Sequence, residues 1–246
     1  MNCQDQIYSE EYIDFIGNRS LIESKYTLDC KQPLGARFAS LYLKLSDGYE
    51  DGTVYGYYNI PKLFGLQDTG SMESSGILQV RENPYLKLDG SGVLIGFVDT
   101  GIDYAGSIFL KQDGTTRVTA IWDQTIPAGS PIRLPAQPEL PETPENITRT
   151  PEGFLYGSEF THEQLNAAVK MADAYEGISS RDEIGHGTFL ASIAAGNELP
   201  DGSFTGAAPK ADIAMVKLKP AKNRLRAYYQ IKEDAVAYQE NDIMAG

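Results

Sequence analysis

The 246-residue sequence contains few cysteines, few histidines and few basic residues. Its two cysteines, Cys3 and Cys30, are too few for a disulfide framework and lack the spacing of zinc ligands, so we expect two reduced thiols. No segment approaches the roughly 18 apolar residues that span a bilayer. Lys and Arg number 21 against 34 Asp and Glu, giving a net charge of −13. This balance argues against nucleic-acid partners and against anionic membranes.

The rest of the composition is that of a folded globular protein, with 41% hydrophobic and 22% charged residues. The length favours one large domain or a large domain with a small one. The amino terminus, MNCQDQIYSEEY, lacks the basic start and the apolar stretch of a secretory signal. The sequence therefore predicts a cytoplasmic protein.

Two patterns of apolar residues divide the chain. Over the first 75 or so residues, a helix at 10–16 and a hairpin formed by 41–45 and 54–58 predict a small α+β unit. From Gly92 onward, the segments VLIGFV, RVTAIWD and ADIAMVKL are continuous apolar strands, which indicate a sheet buried on both faces and an α/β fold. Seven of the 13 prolines fall within 127–151, which predicts an exposed loop.

The first of the two histidines, His162, follows this loop in the capping pattern Thr161-His162-Glu163-Gln164, which predicts the start of an amphipathic helix. We expect His162 to face solvent in the first turn. The segment lacks the second histidine of HExxH, so a metalloprotease is not indicated.

Asp99 ends the apolar strand of VLIGFVDTGID and is followed by the turn residues Thr100 and Gly101. Functional groups emerge at the carboxyl ends of strands in open α/β sheets, so Asp99 is a candidate site residue. The alternative is a turn aspartate that caps the next segment.

His186 lies between two glycines in RDEIGHGTFLASIAAGN and is predicted to begin a helix rich in small residues. The positive end of the helix dipole disfavours an imidazolium there, which keeps a neutral imidazole available as a base. The alternative is a buried histidine whose ring is satisfied by the backbone.

Together, DTGID, GHGT and GAAPKADIAMVKL closely resemble the aspartate and histidine regions of the subtilisin-like serine proteases, the subtilases, over residues 80–218. The resemblance implies that Asp99 orients the imidazole and that His186 acts as general base and then general acid. Asp182, four residues before His186, resembles an acidic residue that borders the substrate cleft in this family. No acidic residue stands at Ile108 and Phe109, where the family's tight calcium site has one, so neither a metal nor a cofactor is implied.

Further segments, among them IWDQT, VKLKPAK and YQENDIMAG, resemble the clostridial-type subtilases, a group that includes the Csp germination proteases. This resemblance implies a prodomain-like α+β unit over 1–78 and the N-terminal part of a catalytic domain over 79–246, with a Pro-rich insertion at 126–152. The implied fold class is α/β, a three-layer subtilisin-like parallel sheet that is incomplete at its C-terminus. Association with spores is a further implication.

The sequence up to Gly246 contains no GTS-type segment that would carry a nucleophile. The resemblance therefore predicts a serine endopeptidase whose serine lies beyond Gly246, and a chain that is inactive by itself. Its expected partners are a peptide or protein substrate and the remaining C-terminal part of the catalytic domain.

Two other functions are open at this point. A subtilase-like fold can serve as a pseudoprotease with a binding or regulatory role, because a fold does not dictate function. The motif DTG also occurs twice, at 68–70 and 99–101, as in bilobed aspartic proteases. The two copies are too close to come from separate lobes, and an aspartic protease would leave GHGT unexplained.

Overall fold

The computed structural model describes residues 2–26, 30–44, 57–64, 85, 88–135, 147–201 and 204–246. The chain divides into two compact units. The first unit consists of Met1–Leu66, Thr150–Tyr156 and Lys219–Gly246, and the second of Gln67–Arg149 and Gly157–Leu218. The assignment of 1–78 to a prodomain-like unit and of 79–246 to part of a catalytic domain stays a prediction.

The strands are β1 (Tyr12–Asn18), β2 (Cys30–Leu34), β3 (Phe38–Lys44), β4 (Leu63–Phe64), β5 (Leu94–Asp99), β6 (Val118–Asp123), β7 (Ser158–Thr161), β8 (Asp212–Lys217) and β9 (Tyr238–Gln239). The helices are α1 (Cys3–Tyr8), α2 (Arg19–Lys25), α3 (His162–Val169), α4 (Ala174–Gly177), α5 (His186–Ala195), α6 (Asn223–Tyr228) and α7 (Glu240–Ala245). Single 3₁₀ turns occur at Tyr57–Asn59 and Ser107–Phe109.

The first unit is built on an antiparallel sheet in the order β1-β3-β2. Phe15, Ile22 and Leu41 lie in its apolar core, and Leu225 of α6 packs into the same cluster. A second, two-stranded antiparallel sheet pairs β4 with β9. The unit is thus a small α+β structure that includes the last segment of the chain.

Two predicted elements of this unit differ from the structure. The segment predicted as a helix at 10–16 is mostly strand β1, because its aromatic and β-branched residues pair along their length with β3. The predicted hairpin is also wrong in its pairing, since β3 lies between β1 and β2. Residues 45–56, which include most of its second half, lie outside the described part of the chain.

The two cysteines form a disulfide rather than the two thiols that we expected. Cys3 at the start of α1 is bonded to Cys30 at the start of β2, with the Cα atoms 5.3 Å apart. The two residues are 27 positions apart in the sequence. Counting cysteines could not predict the bond, because their proximity results from the packing of α1 against β2.

The second unit contains a four-stranded sheet in the order β5-β8-β6-β7. β5, β8 and β6 are parallel, and β7 is antiparallel to β6. α5 packs on β5 and β8, and α3 packs on β6 and β7. A single apolar cluster joins these helices to the sheet through residues such as Ile121, Leu165 and Ile213. The predicted α/β class with a mostly parallel sheet is confirmed.

The burial of β5 differs from the prediction. Ile95 and Phe97 pack against the apolar cluster, whereas Leu94 and Val98, on the opposite face, are 60% and 37% exposed. The continuous apolar run therefore does not correspond to a strand buried on both faces in the described structure. None of the described helices is long and apolar enough to cross a bilayer.

The segments on either side of the Pro-rich loop are ordered by specific contacts. α3 begins as predicted, with Thr161 and Gln164 forming a reciprocal capping box. His162 is half-buried, and its Nε2 lies 3.0 Å from the Thr116 carbonyl oxygen, so its ring contacts the backbone and is only partly in solvent, where we expected it to face solvent. Ile132 and Thr148 are buried, which anchors the two ends of the loop; residues 136–146 lie outside the described residues.

Candidate active site

The carboxyl ends of three parallel strands bring charged residues to one edge of the sheet. Asp99 ends β5, Lys217 ends β8 and Asp123 ends β6. The strand register pairs the Cα of Lys217 with those of Asp99 and Asp123. This is the edge of an open α/β sheet at which functional groups are expected.

His186 is the first residue of α5 and faces Asp99. Its Nδ1 lies 2.8 Å from Oδ1 and 3.0 Å from Oδ2 of Asp99, as expected for a hydrogen bond between the two. The side chains of His186 and Asp99 are 15% and 13% exposed. Because a carboxylate only accepts, Nδ1 carries the hydrogen in this pair, and Nε2 is the ring nitrogen that can take up a proton.

Glycines allow the two motifs to approach closely. Gly185, which precedes the helix, has φ +87°, in the left-handed region that favours glycine. A Cβ on Gly187 would lie 2.2 Å from the carbonyl oxygen of Gly101, a distance that no side chain tolerates. Gly187 is therefore needed for the contact between α5 and the turn after β5, whereas Gly185 supplies the left-handed conformation that leads into the helix.

Asp182 connects these two segments through its carboxylate. Oδ1 accepts hydrogen bonds from Thr100 Oγ1 at 2.7 Å and from Gly185 N at 2.8 Å. Oδ2 accepts from Thr188 N at 2.8 Å and from Thr188 Oγ1 at 2.7 Å. Thr100 Oγ1 in turn accepts from Gly187 N at 2.8 Å. Asp182 thus holds the residue after Asp99 and both neighbours of His186 in one network.

The protonation of Asp182 reflects this network. Partial burial acts to raise its pKa, but the hydrogen bonds from Thr188, Thr100 and Gly185 outweigh burial and hold the pKa below its ordinary value. Asp182 is therefore ionised at neutral pH. Sequence reasoning proposed it as a residue at the border of the substrate cleft and did not foresee these bonds, although Thr100 and Thr188 lie within the DTG and GHGT motifs.

Lys217 is a second residue that sequence reasoning missed. Its buried Nζ donates to the Arg181 carbonyl oxygen at 2.5 Å and to Glu183 Oε2 at 2.7 Å, and lies 3.8 Å from Asp123 Oδ2. It thus fixes the segment on either side of Asp182. A lysine at the end of the apolar strand ADIAMVKL was the available signal, since a buried cation requires partners.

Two other sets of residues are not brought to this site. His162 lies at the start of α3 and bonds the backbone of Thr116. Asp68 of the first DTG motif lies outside the described residues. In the part of the chain that the structure describes, no group of three or more His, Cys, Asp or Glu side chains is arranged to hold a metal ion.

Comparisons with known proteins give the class of this chain. The model of the subtilase family matches residues 90–244. The chain is 30% identical over 144 residues to the subtilisin-like protease SBT3.8 of Arabidopsis thaliana, across 52% of this chain and 16% of that protein. It is 29% identical over 165 residues to SBT3.5 of the same plant, across 63% of this chain and 18% of that protein.

Among solved structures, the CspB protease of Clostridium perfringens matches with a TM-score of 0.43 and 29% sequence identity, over 60% of this chain and 24% of that chain. The family match extends across both motifs that meet at the site and covers more than half of the chain. The chain therefore belongs to the subtilase family of peptidases, which confirms the predicted family resemblance. It spans less than a fifth of the length of the Arabidopsis relatives.

Proposed function

We propose that the complete protein is a serine-type endopeptidase in which Asp99 and His186 are two members of an Asp-His-Ser triad. The observation that carries this proposal is the hydrogen bond between His186 Nδ1 and the Asp99 carboxylate in a member of the subtilase family. The third member, a serine, is supplied by sequence beyond Gly246. The substrates are peptides or proteins.

In this mechanism His186 moves a proton at each step. Its Nε2 takes the proton of the serine hydroxyl as the oxygen attacks the scissile carbonyl carbon, and then gives it to the leaving amine. A water molecule then attacks the carbonyl carbon of the acyl-serine ester, and His186 takes a proton from the water and gives it to the serine oxygen. The acyl group is released as a carboxylic acid, and the serine is restored. Asp99 fixes the ring by accepting from Nδ1 and stabilises the imidazolium that forms, without itself being protonated.

Asp182 has a positioning role in the same proposal. Its carboxylate already accepts hydrogen bonds from Thr100, Gly185 and Thr188. These bonds fix the turn that follows Asp99 relative to the first turn of α5. A place at the border of the substrate cleft, proposed from the sequence, is compatible with this role.

Turnover of a peptide library by the full-length protein tests the proposal. His186→Ala is expected to lower kcat by about 10⁴-fold to 10⁶-fold, and Asp99→Asn by about 10⁴-fold, because triad members act as a unit. His162→Ala changes the other histidine of the chain and is the matched control, with activity expected within about twofold of the parent.

Labelling with a fluorophosphonate probe identifies the nucleophile in the same preparation. A labelled serine beyond Gly246 supports the triad. A folded full-length protein that neither reacts with the probe nor cleaves peptides would contradict it and favour the pseudoprotease alternative. Residues 1–246 alone are expected to show no turnover, with activity appearing only after addition of the C-terminal part.

A further inference from the structure

Arg117 is a buried cation on the second unit that neither the family motifs nor the proposed mechanism uses. It precedes β6 and is 3% exposed. Its Nη1 donates to the Ala211 carbonyl oxygen at 2.7 Å. Its Nη2 donates to Ile108 O at 3.1 Å, to Asn197 Oδ1 at 3.0 Å and to Ala195 O. Four oxygens from three segments of the chain therefore surround one guanidinium.

All four oxygens are neutral. Within the described ranges, Arg117 forms no ion pair with a carboxylate. The nearby Asp212 has Lys111 Nζ at 3.6 Å from its Oδ1. Burial lowers the pKa of Arg117, and the Asp212 charge acts in the opposite direction. A guanidinium nevertheless stays charged, because its ordinary pKa lies far above neutral pH. The charge is thus held mainly by carbonyl and amide dipoles.

One of these dipoles belongs to the helix that His186 begins. Ala195 is the last residue of α5, and carbonyls at a helix C-terminus carry partial negative charge that a cation stabilises. Asn197 is itself fixed, since its Nδ2 donates to Ser107 O at 3.1 Å and to Leu110 O at 2.6 Å. The guanidinium therefore ties the end of α5 to the 3₁₀ turn and to the start of β8.

We propose that the Arg117 guanidinium fills a cation site within the protein and that its charge fixes the C-terminal end of α5. The site, called the oxygen cage below, is formed by Ile108 O, Ala195 O, Asn197 Oδ1 and Ala211 O. Arg117 is then a positioning residue that acts on His186 through this helix. The effect on His186 rests on the proposed function, whereas the cage does not.

The proposal predicts that the emptied cage accepts a cation from solution. Arg117 borders a groove of about 890 Å³ whose lining includes Lys111, Asn197 and Asp212, which gives small solutes access. In the full-length protein, Arg117→Ala is expected to lower Tm by about 10 °C. Guanidinium at about 10 mM should restore at least half of this loss by mass action. Urea, which is planar and similar in size but uncharged, should restore none.

Hydrogen exchange locates the effect. Amides of residues 186–197 are expected to exchange about tenfold faster in Arg117→Ala and to regain protection with guanidinium. The matched control is Arg224→Ala, which removes an exposed arginine of α6. Neither its Tm nor the parent's should rise on addition of guanidinium. Equal responses of Arg117→Ala to guanidinium and urea, or no response to either, would overturn the cage.

Two further variants decide the question where Arg117→Ala does not fold. Arg117→Lys keeps the charge and loses the planar fork, while Arg117→Met has similar length and no charge. The proposal requires that the lysine variant retain a higher Tm and higher soluble yield than the methionine variant. An equal or more stable methionine variant would show that the charge is not what the cage holds, since apolar replacements of buried charges can be neutral.

The positioning role is tested by kinetics. Arg117→Ala is expected to lower kcat about tenfold with little change in KM, and guanidinium should restore kcat in parallel with Tm. If guanidinium restores Tm but not kcat, the positioning role of Arg117 toward His186 is overturned, while the proposal of the oxygen cage stands. In a protein without any turnover the proposed function fails, and the Tm and exchange data still decide about the cage.

Discussion

Gly187 shows how a single backbone position sets the distance between the proposed catalytic residues. The first turn of α5 lies against the turn after β5, and a Cβ on Gly187 would overlap the carbonyl oxygen of Gly101. Backbone cannot move aside as the end of a flexible side chain can. A side chain here must push α5, and with it His186, away from Asp99.

Gly187→Ala is therefore expected to destabilise the protein by about 2 to 4 kcal/mol and to lower turnover at least tenfold. Gly96→Ala is the matched control, because a Cβ on Gly96 in β5 meets no atom within 4 Å and the strand conformation suits alanine. Thermal denaturation of both variants measures the effect. A Gly187→Ala protein as stable and as active as Gly96→Ala would contradict the close contact.

Asp182 should make the free energy of unfolding depend on pH. Its folded-state pKa lies below the ordinary value, so its ionised form favours the folded state. The contribution is present above the unfolded pKa of about 3.9 and is lost as pH falls through the folded value. Asp182→Asn should cost about 1 to 2 kcal/mol at pH 7, with the difference from the parent shrinking below about pH 4.

Urea denaturation at several pH values measures this difference. Glu176→Gln, which removes an exposed carboxylate, should show little cost at any of them. A cost for Asp182→Asn that stays constant between pH 7 and pH 3 would indicate that its charge has no part in the network.

Single residues also show the limits of prediction. Asp99 and His186 could be found because short motifs place them at a strand end and at a helix start. The hydrogen bond from Thr100 to Asp182 crosses 82 positions of sequence and the one from Arg117 to Asn197 crosses 80. Such bonds depend on how the elements pack, and no local pattern records that.

At the scale of elements, the start of α3 combines a cap with a histidine contact. Thr161 Oγ1 accepts from Gln164 N, and Gln164 Oε1 accepts from Thr161 N at 2.9 Å. The local sequence was enough to predict where α3 begins, because the two residues of the cap, Thr161 and Gln164, lie within one helical turn. β1 was mispredicted for the opposite reason: its strand conformation depends on pairing with β3, far along the chain.

Thr161→Ala should cost about 1 kcal/mol through loss of the cap, and Thr161→Ser should recover most of it. Faster hydrogen exchange confined to residues 162–169 is expected in the alanine variant. Equal stability of the alanine and serine variants would show that the hydroxyl contributes nothing.

For the whole molecule, the disulfide bears on stability and on compartment. Cys3–Cys30 closes a loop with a sequence separation of 27 residues, for which chain entropy gives about 3.5 kcal/mol. Reduction, or Cys3→Ser with Cys30→Ser, should lower the unfolding free energy by about that amount. Thiol counting by mass spectrometry on protein from its natural source also tests the predicted cytoplasmic location, since reducing compartments disfavour the bond.

The first unit joins the two ends of the chain through buried charges. Lys222 Nζ donates to Asp14 Oδ1, while Asp14 Oδ2 accepts from Gln239 Nε2 at 2.8 Å and from Asn241 Nδ2 at 3.1 Å. Asp14 lies in β1, and its partners lie 208 to 227 positions later. All four side chains are buried. Residues 219–246 are therefore part of the same polar network as the N-terminal sheet.

Removing one member of the Lys222–Asp14 ion pair should lower the free energy of unfolding more than removing both charges. Lys222→Met leaves the Asp14 carboxylate buried without its cation and is expected to cost about 3 to 5 kcal/mol. Asp14→Asn combined with Lys222→Met removes both charges but keeps an oxygen that can accept from Gln239 and Asn241, so it should cost much less. Lys44→Met is the matched control, since Lys44 pairs with Glu11 at 3.4 Å on the surface and should cost under about 1 kcal/mol. Urea unfolding of the single and double variants gives the coupling energy. If the two single losses simply add in the double variant, the pair does not hold the two ends of the chain together.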